Sequence, residues 1–165
     1  MDSELNREIS RSLVPALIAS GFTAHPLSAA DRHDRGIQRS FPFGRFRRTR
    51  GEGNDQIEIQ IEAKDTRAFR LNIGFVPREG IKHSTGFVRE EDVWNQYLPR
   101  YAQMYDSPLG RRWFSASGSL FRRPAKGVQE VVESVVQLLP EVELALAEFD
   151  HPNSSMKHIR WVSAE

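Results

Sequence analysis

Apolar and polar residues alternate strictly along residues 56–63 of this chain. Ile57, Ile59 and Ile61 take the odd positions, while glutamine and glutamate take the even ones. The same two-residue period returns along residues 69–73. Because neighbouring side chains of a strand point to opposite faces of a sheet, this pattern predicts two strands with one buried face and one solvated face.

A hairpin turn at residues 49–54 and a second turn at residues 64–67 join these strands to each other and to a preceding strand. That first strand carries Phe41, Phe43 and Phe46. Because 41 and 43 are odd positions and 46 is an even one, a bulge at Gly44 is expected to bring all three side chains to the same face. The third strand ends near Pro77, because proline cannot donate a hydrogen bond to a central ladder. Three strands in an antiparallel meander are therefore expected.

Apolar residues spaced by three and four predict helices at both ends of the chain. The first begins near Ser3, is kinked or divided at Pro15 and ends at Gly21. The second occupies residues 128–149 and is expected to be one kinked helix, or two collinear helices, around Pro140.

The stretch between these elements is harder to interpret. A loop is followed by a predicted helix that begins at residues 90–92, with Trp94 and Tyr97 on its apolar face and Pro99 bending it. Residues 113–121 are consistent with a short fourth strand or hairpin.

Together these elements predict an α+β fold: an antiparallel three- to five-stranded β-meander with the N- and C-terminal helices packed on one face. One domain is expected over residues 1–150, followed by a C-terminal tail at 151–165 that docks through Trp161 or frays.

The composition narrows the possible chemistry. The chain has 165 residues and no cysteine, which excludes disulfides, thiolate metal sites and cysteine nucleophiles. Its start lacks the pattern of a secretory signal and no run reaches membrane-spanning length, so a cytoplasmic, bacterial-type location without membrane contact is expected. The net charge is only +1, yet residues 32–50 contain seven arginines against a single acid, Asp34.

No phosphate-binding loop, zinc-protease or serine-hydrolase motif is present, and the five histidines lie in predicted loops or in the tail. One enzymatic hypothesis remains. Glu62 and Lys64 share a strand face in the E-x-K spacing of magnesium-dependent nucleases. A second acid is required; Asp55 lies too far along the same strand, while Asp34 or Glu8 could approach. A pair of solvated charges at the end of a strand is the favoured interpretation, and no catalytic residue, metal or cofactor is predicted.

Two kinds of binding function remain open. Aromatic and basic residues interleave between Arg39 and Arg50, as in a platform that stacks single-stranded nucleic acid. The alternative is that the phenylalanines fill the core while Arg45 and Arg47 face Glu58 and Glu62 across the hairpin. Nucleic acid is therefore possible but not favoured.

A protein partner is preferred, because the polar sheet face has no predicted helix to cover it and offers a flat surface of mixed charge. The candidate partner-binding residues are Trp94 and Tyr97 on the predicted helix that begins at residues 90–92, and Arg45, Arg47 and Arg70 on the sheet. A groove between the two groups would combine aromatic walls with guanidinium groups and would suit an anionic partner. The expected function is a non-enzymatic protein-interaction or regulatory module.

The order of these elements also resembles a bacterial domain family described only as being of unknown function. The resemblance rests on Gly21-Phe22, the Ile57 to Ile61 strand, residues 69–74 and Leu138-Leu139-Pro140. It covers about two thirds of the chain and consists of packing and turn residues, so it implies a fold more than an activity. The resemblance implies a small α+β protein, in some cases with an immunity- or antitoxin-like role, and carries over no catalytic residue.

Overall fold

The computed structural model describes residues 3–106, 113–116, 126–150 and 156–163. In this part of the chain helices pack against an antiparallel sheet, so the α+β class is confirmed. The strands of the sheet are β1 (Thr23–His25), β2 (Arg45–Arg50), β3 (Gly53–Ile61), β4 (Ala68–Pro77), β7 (Arg100–Met104), β8 (Phe114–Ser115) and β9 (Ile159–Ser163); β5 (Ile81–His83) and β6 (Gly86–Val88) form a separate hairpin.

The seven strands of this sheet exceed the predicted three to five. The order is β1-β2-β3-β4-β7-β9, and β8 pairs with the other end of β4. The predicted three-strand meander forms its centre, with Ile59 opposite Leu71 and Ile57 opposite Ile73. Three of the additional strands are not predicted by the sequence. β1 is too short to show an alternating pattern, and β7 follows the stretch that the sequence predicts to be a helix. β9 lies in the predicted C-terminal tail.

The N-terminal helix is built as predicted. It comprises α1 (Glu4–Glu8), a π-helical turn (Ile9–Leu13) and α2 (Val14–Ala19). The Ser3 side chain caps its start by accepting from the Asn6 backbone N–H, and Gly21 follows its end at φ +88°. The wide turn directly precedes Pro15, where the missing proline N–H disrupts the regular hydrogen-bond ladder.

The C-terminal helix is divided as expected. It comprises α5 (Val128–Gln137) and α6 (Leu139–Ala147), which meet at Leu138 ahead of Pro140. The buried valines of α5 join the N-terminal helix and the isoleucine face of the sheet in one hydrophobic core. Ile57 and Ile59 are completely buried there, as the alternating pattern requires.

The opposite face of the sheet corrects the sequence-based picture. It was expected to lie in solvent, but residues 78–99, here called the covering segment, pack over its β2-β3-β4 part. This segment contains the β5–β6 hairpin and two 3₁₀ turns (Glu90–Asp92 and Asn95–Tyr97) instead of the predicted helix. Extended backbone at Val93, Trp94 and Leu98 separates the turns and leads into β7. Pro99 disfavours helix at Leu98, because its ring clashes with a helical conformation of the preceding residue.

Two short helices that the sequence does not predict lie between β1 and β2. They are α3 (Ala29–His33) and α4 (Arg35–Ser40). The Ser28 side chain and Asp31 form a reciprocal capping box at α3, and the Asp34 side chain caps α4 by accepting from two backbone N–H groups. The strand expected to carry Phe41, Phe43 and Phe46 therefore begins only at Arg45, after a turn in which Gly44 adopts φ +67°.

None of the helices in the described ranges is both long enough and apolar enough to cross a lipid bilayer.

Candidate functional site

The covering segment determines where the predicted partner-binding residues lie. It brings Trp94 onto Arg45, whose guanidinium carbon is 4.5 Å from the ring centroid. Arg45, Arg47 and Trp94 are all buried, and Tyr97 is partly buried beside them. Arg70 lies farther along the face, with its guanidinium 4.2 Å from the ring of Trp113. The aromatic and basic residues therefore do meet, but in packed contact across the sheet.

Hydrogen bonds hold the covering segment on the sheet. Gln56 accepts from the Nε of Arg47 at 2.7 Å and donates to the carbonyl of Val93 at 3.0 Å. Glu58 accepts from the backbone N–H of Asn95 at 2.7 Å, and the Asn95 side chain donates to the Gln56 carbonyl. Since buried polar groups require partners, this network explains how polar strand residues can lie under a second layer.

Glu58 occupies the centre of this network and is fully buried. Burial raises its pKa to about 7, although hydrogen bonds from Asn95 and Gln56 and the charge of Arg45 act in the opposite direction. Arg45 is its register partner on β2 and also pairs with Asp31 at 3.2 Å. Arg47 lies opposite Gln56, so the predicted pairing of Arg47 with Glu62 is wrong by register.

Close packing of the covering segment depends on Gly74. A Cβ at this position would lie 2.3 Å from the Oδ1 of Asn95 and 2.6 Å from the Cδ1 of Leu98. We expect Gly74→Ala to lower the free energy of unfolding by about 1–3 kcal/mol, because the added methyl group collides with the packed side chains of Asn95 and Leu98. Urea denaturation measures this change. Gly127→Ala is the control, because a Cβ there meets no atom within 4 Å; equal stability of both variants would contradict the close contact.

The remaining β2 arginines are also engaged within the protein. Arg48 pairs with Asp55 at 3.0 Å and with Glu143 of α6 at 2.8 Å, and Arg50 pairs with Asp55 at 2.6 Å. Hydrogen bonds from both carboxylates raise the pKa of Arg48 above its usual range, and burial opposes them. These contacts join the sheet to α6.

The aromatic residues of the same segment fill the interior. Phe46 lies in the main core, Phe43 packs against it, and Phe41 packs on Trp94 with ring centroids 4.9 Å apart. A phenylalanine that fills the core cannot stack on a base. The nucleic-acid hypothesis therefore has no stacking platform among these three residues.

The nuclease hypothesis likewise lacks a supporting arrangement among the described residues. The acids suggested as partners of Glu62 are engaged elsewhere: Asp34 caps α4, and Glu8 bonds to Ser12 and Arg11. In the described ranges no three histidine or carboxylate side chains come together in a way that could hold a metal ion. Glu62 and Lys64 lie at the strand end, where the first is partly exposed and the second exposed.

A cleft opens where α4 approaches the start of α1 and the end of β3. Its volume is about 700 Å³, and we call it the basic cleft; it is lined by Ser3, Asn6, Arg35, Gln38, Arg39, Pro42, Ile61, Glu62 and Thr66. Arg39 donates a hydrogen bond to the carbonyl of Ala63 at the end of β3. Neither Arg35 nor Arg39 has a carboxylate within ion-pair distance among the described residues.

Further polar groups in the basic cleft add hydrogen-bonding capacity. The Oδ1 of Asn6 is buried and has no partner in the described part of the chain, and Gln38 presents a second amide. Arg35 and Arg39 were not among the predicted partner-binding residues. Their spacing of four within a segment capped by Asp34 is the signal that could have placed them on one helix face.

Comparison of the chain with protein-family models, with curated proteins and with solved structures finds no match.

Proposed function

We propose that this protein is a non-enzymatic binding module that recognises an acidic segment of a partner protein in the basic cleft. The proposal keeps the sequence-based hypothesis of an interaction or regulatory module with an anionic partner. It assigns the first contacts to Arg35 and Arg39, because Arg45 and Arg47 lie under the covering segment.

One observation carries the proposal: the seven arginines of residues 32–50 fall into two groups. Three β2 arginines (Arg45, Arg48 and Arg50) have carboxylate partners, and Arg47 is hydrogen bonded to Gln56 and to the Glu90 carbonyl. Arg32, Arg35 and Arg39 have no carboxylate partner among the described residues, and two of them, Arg35 and Arg39, line the open cleft. Two guanidinium groups that lack an internal counter-ion favour an anionic ligand from outside.

The rest of the lining favours protein over nucleic acid. Asn6, Gln38 and Thr66 offer amide and hydroxyl groups that match a peptide backbone. The described lining contains no aromatic side chain on which a base could stack. Glu62 adds a carboxylate that can accept a hydrogen bond from a peptide N–H. A cleft of this size accommodates a few side chains of an extended segment.

A module of this kind acts by binding to its partner protein. Binding an acidic segment blocks or redirects that segment without any reaction at the cleft. An immunity- or antitoxin-like role, which the family resemblance implies, is one form of such regulation.

Fluorescence anisotropy with a labelled peptide of alternating glutamate and glycine tests the proposal. We expect saturable binding that weakens as salt increases, because the contacts are ionic. Arg35→Ala and Arg39→Ala are each expected to weaken binding about tenfold, which corresponds to about 1.4 kcal/mol.

Arg160→Ala is the matched control, since Arg160 is exposed on β9 at the far edge of the sheet. Labelled single-stranded DNA of equal length is the competing probe. Tighter binding of the DNA, or equal losses in all three arginine variants, would overturn the proposal.

A further inference from the structure

A second, apolar groove lies at the other end of the covering segment. It has a volume of about 410 Å³ and is lined by Phe75, Pro77, Ile81, Leu98, Pro99, Arg100, Phe149 and Asp150. The end of β4, the start of β5, the approach to β7 and the residues that follow α6 all meet here. Its walls are therefore contributed by both layers that cover the sheet.

The sequence explains why this groove remains apolar. Pro77 ends β4 and Pro99 precedes β7. Because proline has no backbone N–H, neither residue adds a hydrogen-bond donor to the lining. Phe75 and Phe149 form one wall, with ring centroids 6.5 Å apart. Ile81 and Leu98 belong to the small hydrophobic core beneath the covering segment. The walls suit an aliphatic or aromatic group.

Arg100 supplies a polar feature of this lining. Its guanidinium lies 5.6 Å from the ring centroids of both Phe149 and Trp161, and it donates a hydrogen bond to the Phe149 carbonyl. Arg100 has no carboxylate within ion-pair distance among the described residues. A permanently charged group held between two rings favours a counter-ion.

Two buried donors beside the groove also lack partners. They are the Nε of Arg100 and the Nε1 of Trp161, neither of which has a hydrogen-bond acceptor in the described part of the chain. Buried N–H groups without acceptors are rare in proteins. The ring of Trp161 is 5.4 Å from that of Phe149, so both donors lie close to the apolar wall.

We propose that this groove binds a small apolar monocarboxylate, such as a medium-chain fatty acid, with its hydrocarbon chain against the wall formed by Phe75 and Phe149 and its carboxylate on Arg100. The volume lies within the range of small-molecule sites, and an apolar lining with few polar groups is typical of them. The carboxylate offers a counter-charge to the Arg100 guanidinium in the lining, and the chain removes apolar surface from water. The site is distinct from the basic cleft and is tested independently of it.

Asp150 is the acid in the described lining, and it is exposed at the rim. Its charge opposes a bound carboxylate. This predicts an effect that a purely hydrophobic groove would not show: Asp150→Asn strengthens carboxylate binding, whereas Arg100→Gln weakens it.

Isothermal titration with sodium decanoate, below its micelle-forming concentration, is the direct test. We expect saturable binding to the full chain with a dissociation constant on the order of 0.1 mM, and about tenfold weaker binding of uncharged decanol. Arg100→Gln should weaken decanoate binding about tenfold and leave decanol binding unchanged. Arg7→Gln, at an exposed arginine of α1, is the control and should change neither.

The comparison of decanoate with decanol on the unmodified protein keeps the test decisive if Arg100→Gln does not fold. Absence of saturable decanoate binding, or equal affinity for decanoate and decanol, would overturn the proposal. Weaker decanoate binding in Asp150→Asn would contradict the position assigned to the carboxylate.

Discussion

Ile59→Ala is expected to lower the free energy of unfolding by about 2–5 kcal/mol, because it removes a completely buried branched side chain from the centre of the sheet. Ile59 lies opposite Leu71, another completely buried residue, and the helices close the core above both of them. Neighbours on all sides prevent the site from collapsing around the shorter side chain. Urea denaturation at constant pH measures the change.

Ile18→Ala is the matched control for this prediction. The same substitution is made there at a side chain that is 52% exposed on α2. A change of less than about 0.5 kcal/mol is expected, as for most surface positions. Similar losses at the two isoleucines would show that the alternating pattern does not define the core.

Glu58→Gln is expected to stabilise the protein by about 3 kcal/mol above pH 8 and to have little effect below pH 4.5. The carboxyl of Glu58 has a pKa of about 7 in the folded chain, against an ordinary value of 4.5. Between these two values the folded state binds the proton more strongly than the unfolded state does. Stability therefore falls as pH rises from 4.5 to 7, and it then stays at the lower level.

Glutamine has nearly the same shape and no charge, so the variant should lose this pH dependence. Its carbonyl can still accept from the Asn95 N–H, and Arg45 retains Asp31 as an ion-pair partner. Chemical denaturation at a series of pH values provides the measurement. Glu62→Gln, at a partly exposed carboxylate at the end of the same strand, is the control and should change stability by less than about 0.5 kcal/mol. A Glu58→Gln variant that is less stable than the original protein at pH 8 would contradict a buried, destabilised carboxylate.

Local patterns were sufficient to predict the central hairpins and the terminal helices. The alternation through Ile57, Ile59 and Ile61 is strict, and the valine stripe of α5 has the helical period. The end of β4 at Pro77, the break before Pro140 and the helix end at Gly21 were also predicted correctly. Proline and glycine act on the local backbone, so these signals do not depend on distant contacts.

The covering segment could not be predicted in this way, because its structure depends on contacts with distant strands. The apolar residues around Trp94 have the spacing of a helix face, but the backbone at Val93, Trp94 and Leu98 is extended and is fixed by contacts with the sheet beneath it. Polar residues at even positions of β3 were assigned to solvent, although amides and carboxylates can be buried when a second layer satisfies them. The presence of Gln56 and Glu58, with no lysine among these positions, was the available signal.

The candidate sites show the same difference between features set by the local sequence and features set by contacts between distant residues. The sequence located the arginines but could not show which of them would find an internal acid. Arg48 reaches Glu143, which lies far along the chain, and Arg45 reaches Asp31 of a helix that was not predicted. Arg35 and Arg39 became candidates only when the folded chain placed them at an open cleft.

Mapping of backbone amide shifts by NMR, during titration with the alternating glutamate–glycine peptide, tests the central claim most directly. The account predicts saturable shifts confined to the lining of the basic cleft, in residues 3–6, 35–42 and 61–66. Shifts concentrated in the covering segment or on β9, or no saturable shift at all, would contradict recognition of an acidic partner at this cleft.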